Sequence, residues 1–145
     1  MFSRKIQTLA VSLLLVLTTL SLPAVADDKL FINLTSDDMN RAAMAIGFGH
    51  KVMMKKKIPV TIFLNVEGVR LADRNIPQHT HVSGKTPQQM LGQFMKDGGT
   101  VIVCPMCMKN VGGLQKDELI DGAKVGGPDV TWPALFADDT TVLSY

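Results

Sequence analysis

Two cysteines stand in the chain, Cys104 and Cys107, separated by Pro105 and Met106. A disulfide across so short a span restricts the unfolded chain little, so the pair makes a poor structural staple. The spacing suits chemistry in which a thiolate is used: sulfur transfer, disulfide exchange or metal binding. Cys104 follows the apolar run Thr100-Val101-Ile102-Val103, which reads as a buried strand. In open α/β sheets the carboxyl ends of strands are where ligands and reactive groups collect. A helical turn over Pro105 to Lys109 would put Cys104 at a helix N-terminus. That dipole and the nearby Lys109 would both favour its thiolate.

A second chemistry is written in the same segment. Cys104-Pro105-Met106-Cys107-Met108 gathers two thiols and two thioethers within five residues. Soft sulfur ligands of this kind select Cu(I) or zinc. His79 and His81, in a polar stretch, offer two imidazoles. Against this, methionine is a common core filler. Met39, Met44, Met53, Met90 and Met95 all fit helix faces, whereas Met106 and Met108 do not. A histidine pair in a polar loop reads first as plain surface. Copper or zinc binding is therefore the alternative to sulfur chemistry, and a non-catalytic oligomeric interaction subunit comes third. Phosphate-loop, dinucleotide and nucleophilic-serine patterns are absent. Asp37-Asp38 and Asp138-Asp139 read as a helix cap and a turn, and Trp132 as a packing residue.

The elements that must position the cysteines follow from pattern. Lys29 to Thr35 is a short apolar strand. Ser36, Asp37 and Asp38 then supply capping residues for a helix running to Lys55-Lys56-Lys57, where cations suit the dipole. Gly47 and Gly49 inside it mark a bend or close packing. Pro59 to Val66 is a second strand. The polar connection from Glu67 to Lys85 is long enough to suggest a functional loop or a subunit contact. Thr86-Pro87-Gln88-Gln89 opens a helix with a cap, a first-turn proline and a reciprocal glutamine. Gly98-Gly99 ends it. Beyond the cysteines we expect a turn at Asn110 to Gly113 and a short helix from Gln115 to Ile120. A short strand at Ala123 to Gly126, a helix from Trp132 to Phe136 and a terminal strand from Thr140 complete the chain. Strands alternating with helices imply an α/β domain with a mainly parallel sheet of about five strands.

Of 145 residues, 46% are hydrophobic and 19% charged, which suits one globular domain. Residues 1–26 have the layout of a secretory signal: basic Arg4 and Lys5, an apolar run from Leu9 to Leu22, then Pro23-Ala24-Val25-Ala26. The run is short for a bilayer crossing. We therefore expect cleavage after Ala26, a single domain over 27–145, no stable membrane anchor afterwards, and a periplasmic or secreted location. Removing Arg4 and Lys5 from the 15 basic residues leaves 13, against 13 acidic. That neutrality argues against nucleic-acid binding.

The placement of the cysteines after a third strand, with Val103 before them, differs from thioredoxin. It resembles instead the DsrE/DsrF-like family of small sulfur-relay proteins. The resemblance is carried by Gly98-Gly99-Thr100-Val101-Ile102-Val103-Cys104, Gly112-Gly113-Leu114 and Glu118-Leu119-Ile120-Asp121-Gly122, in that order. It implies a three-layer α/β/α sandwich that forms homo- or hetero-oligomers, often trimers or hexamers. It also implies that Cys104 accepts sulfane sulfur as a persulfide, from a donor protein or a small sulfane-sulfur compound. Cys107 could then act as a resolving thiol, making the protein a sulfurtransferase-type carrier or a thiol–disulfide redox protein with no required cofactor. Export and Cys107 are departures from the minimal relay pattern.

Overall fold

The computed structural model describes residues 28–145. The expected signal segment, residues 1–26, lies outside the described residues. Five strands form one sheet in the order β4-β3-β2-β1-β5, with every neighbouring pair parallel. They are β1 (Lys29–Leu34), β2 (Val60–Leu64), β3 (Thr100–Val103), β4 (Lys124–Val125) and β5 (Thr140–Ser144).

Helix α1 (Met39–Lys56) joins β1 to β2, and α2 (Pro87–Lys96) precedes β3. The Asp38 side chain accepts from the Arg41 N–H at 2.9 Å, so the N-cap is the acid nearest the helix. Lys57 closes α1 in a left-handed conformation, its N–H on the Met53 carbonyl. Thr86 and Gln89 form the reciprocal cap of α2. Both crossovers step the same way along the sheet, so with right-handed connections the two helices share one face. There Leu34, Ile62, Leu64 and Val103 are wholly buried with Ile46, Leu91 and Phe94. Each such side chain contributes roughly 1.5–3 kcal/mol by leaving water. Gly49 serves the close packing that its place in the sequence suggests. A Cβ there would meet the Ile32 side chain at 2.7 Å.

From β4 the chain returns across the whole sheet to β5 through α4 (Pro128–Leu135), which lies on the opposite face. Ile102, pointing away from Val101 and Val103, and Thr131 meet there beside Gly126. The three-layer, mainly parallel α/β architecture is thus the one expected.

Several local expectations are corrected. Strand β2 stops at Leu64, and Val66–Ala72 forms a 3-10 helix whose Gly68, Val69, Leu71 and Ala72 are buried. The first part of the long connection therefore belongs to the core. Its remainder is tied down by Gln88, whose N–H donates to Gln78 and whose side chain reaches the Asp73 carbonyl. The stretch from Met108 to Gly112 is a π-helical turn, and Gln115 to Ile120 contracts to a 3-10 turn at Lys116–Glu118. Helix α4 begins at Pro128, which moves Pro133 into its interior, where it has no N–H to give. Trp132 does not pack: it is 57% exposed, on the outer side of a helix that turns Thr131 inward.

Candidate functional site

Strand β3 is buried along Val101, Ile102 and Val103 and releases the chain at the carboxyl edge of the sheet. The Cys104 N–H still donates to the Leu64 carbonyl at 2.9 Å, so its backbone is fixed by β2. Pro105, pre-set for a first helical position, turns the chain into the single helical turn α3 (Pro105–Cys107). Cys104 is the N-cap of that turn, and its Sγ accepts from the Cys107 N–H at 3.4 Å. Both cysteines are free thiols, each partly exposed.

The second thiol has different surroundings. Burial pushes the Cys107 thiol above the ordinary cysteine range, and so do its hydrogen bond to Cys104 and the negative charges of Cys104 and Glu67. The nearby Val66 backbone N–H pulls the other way. Lys109 is exposed and is not among the charges acting on Cys107.

Val66 is a site residue that the sequence pattern hides. It has φ +48°, a left-handed conformation that a β-branched residue rarely adopts. The turn that holds it is pinned to β1. The Asn65 N–H donates to the Leu34 carbonyl, and the Gly68 N–H donates to the Thr35 and Asn65 carbonyls. Gly68 is required here because a Cβ would sit 2.3 Å from the Leu34 oxygen. Asn65 itself donates from Nδ2 to Asn33 Oδ1, and Asn33 donates in turn to Ser144. The Asn65 Oδ1 is buried and has no hydrogen-bond partner.

The soft-ligand candidates are dispersed. Met108 is buried in the main core at 9% exposure, while Met106 projects at 70%. His79 lines a cavity of about 270 Å3 with Asp37, Met39, Arg70 and Pro87. His81 lines another, of about 410 Å3, with Asn40, Met44 and Met90. Neither lining includes Cys104 or Cys107. Among the described residues, no group of three or more His, Cys, Asp or Glu is placed to hold a metal ion. Met44, assigned to a helix face as filler, is 58% exposed. The third histidine, His50, bonds Asp97 at 2.8 Å and links α1 to α2.

One cysteine thus stands at a strand-to-helix junction, with a second beside it whose thiolate is disfavoured by burial. A family model described as the DsrE/DsrF-like family matches residues 30–135. The structure of a protein of unknown function, MTH1491 from Methanobacterium thermoautotrophicum, superposes with a TM-score of 0.66 at 14% identity, over 82% of this chain and 100% of that one. The crystal structure of the ychN protein from E. coli does so with a TM-score of 0.61 at 19% identity, over 82% and 99%. At these identities the likeness is one of fold. Among curated proteins no sequence matches the chain.

Proposed function

The chain belongs to the DsrE/DsrF-like family, a family generally tied to sulfur relay, and from that footing we propose that it is an exported sulfur carrier loaded on Cys104. The observation that carries the proposal is the position of Cys104. Its backbone is locked to β2 while its sulfur caps an open one-turn helix at the carboxyl edge of the sheet. Cys104 thiolate attacks the outer sulfur of a sulfane donor R–S–SH. A Cys104 S–S bond forms, the donor S–S bond breaks, and R–S⁻ leaves. The product is a Cys104 persulfide.

Cys107 serves a second, slower step. Its thiolate attacks the Cys104 sulfur, the outer sulfur departs as hydrosulfide, and a Cys104–Cys107 disulfide remains for an external dithiol to reduce. A thiol is a far weaker nucleophile than a thiolate. The raised proton affinity of Cys107 therefore lets the persulfide outlive its formation. In this reading residues 1–26 direct export to the periplasm or beyond, the mature chain works as an oligomer, and the donor and acceptor are proteins or small sulfane compounds. The chemistry needs neither copper nor zinc.

The test is intact mass spectrometry of mature wild type and Cys104→Ser, reduced, stripped of metal and exposed anaerobically to polysulfide. A gain of one or more sulfur atoms on wild type alone, mapped to Cys104, is expected. No gain, or only the loss of two hydrogens as the pair closes, rules out a carrier.

A further inference from the structure

One polar group at the carboxyl edge takes no part in loading or resolving the persulfide. Asn65 follows the Leu64–Val103 pair of the β2–β3 register, which sets it beside Cys104 at the end of the two strands. Leu64, before it, accepts the Cys104 N–H at 2.9 Å. Val66, after it, opens the 3-10 helix that packs against the Pro105–Cys107 turn. The Asn65 amide is held on one side only, by its Nδ2 bond to Asn33. Its Oδ1 is out of contact with water and accepts nothing. A buried oxygen left without a donor destabilises a fold, and such a group in a native protein calls for a reason, a redox or catalytic role among them. The strained Val66 beside it is a second departure from the most stable arrangement at the same place.

We propose that Asn65 Oδ1 is the hydrogen-bond acceptor for the S–H of sulfur bound on Cys104. The inference rests on the carrier reading above. A persulfide extends Cys104 by one sulfur atom, and that outer sulfur carries a proton to donate. An acceptor oxygen has nothing to offer a persulfide anion, so it favours the protonated form, Cys104–S–SH. This matters for delivery. An acceptor thiolate R′–S⁻ attacks the outer sulfur, the Cys104 S–S bond breaks, and Cys104 leaves as thiolate while R′–S–SH departs with the proton. A neutral outer sulfur accepts that attack without charge repulsion. Asn65 is then a residue for delivery as much as for holding.

The experiment compares wild type with Asn65→Leu, which keeps the side-chain bulk and removes the acceptor. Three readings are taken on each: the alkylation rate of reduced Cys104 by iodoacetamide, the lifetime of the polysulfide-loaded persulfide by intact mass, and the rate of sulfur delivery to a small thiol. The expected result is unchanged alkylation, with delivery slowed about threefold to fivefold, the worth of one weak S–H hydrogen bond. Asn65→Gln, which retains an amide oxygen on a longer arm, is expected to recover part of the rate. Equal delivery by wild type and Asn65→Leu overturns the proposal, as does a parallel loss of alkylation and delivery, which marks a structural residue only. If wild type itself takes up no sulfur, the carrier reading fails first, and that outcome is distinct from both.

Discussion

Two strand exits on the same sheet edge make an instructive pair. At the end of β1 the chain passes through Asp38 into α1, and the Asp38 carboxylate accepts from Arg41 N–H at 2.9 Å. At the end of β3 it passes through Cys104 into α3, and the Cys104 sulfur accepts from Cys107 N–H at 3.4 Å. The geometry is shared, with an extended cap residue, a free helix N-terminus and a bond to the third residue on. The chemistry is not. A carboxylate is among the best N-caps and complements the helix dipole, whereas a thiol is a weak acceptor. The first exit leads to an 18-residue helix; the second leads to three residues and then a π-helical turn. One junction is built for stability, and the other gives stability up to present sulfur.

The largest effect that would test this contrast is at Cys104. Cys104→Ser puts a strong cap at the weak junction. Sulfur uptake is expected to vanish, while thermal unfolding moves upward or stays level. A variant that unfolds more easily would mean the sulfur contributes packing that a hydroxyl does not. The mirror substitution is Asp38→Ala. It should cost about 1 kcal/mol in denaturant unfolding and leave persulfide formation as in wild type. A loss of loading with Asp38→Ala would show that the two junctions are coupled rather than separate.

The two junctions also differ in how they can be read before folding. Asp38, and the Thr86-Pro87-Gln89 start of α2, announce themselves because caps are local: the partner lies three residues on. Cys104 is legible for the same reason, as an apolar run ending in Cys-Pro. The turn that faces it is not. Val60 to Val66 reads as continuous strand, and valine is a poor choice for φ +48°. What flips it is long-range, namely the bonds from Asn65 and Gly68 to Leu34 and Thr35. Gly68 is the one local hint. The same limit explains Trp132. In a short helix with little periodic signal, only the sheet decides which side turns inward, and it takes Thr131.

The smallest effect concerns Cys107, and it separates the two thiols by pH. Its folded-state value is raised, chiefly by burial. A raised pKa means that folding disfavours the thiolate. The associated stability is therefore fully present below the ordinary cysteine value of about 8.5 and declines as pH rises toward the folded value. Wild type should show that decline in urea unfolding between about pH 8 and the alkaline limit, and Cys107→Ala should lack it. The kinetic counterpart is sharper. Closure of the pair needs the Cys107 thiolate, whose fraction grows about tenfold per pH unit below its midpoint. The lifetime of a Cys104 persulfide should shorten on that slope in wild type and stay flat in Cys107→Ser. A flat wild-type profile would remove Cys107 from the resolving step and leave it as a neighbour that only donates its N–H to Cys104. The contrast between the two junctions would then rest on Cys104 alone.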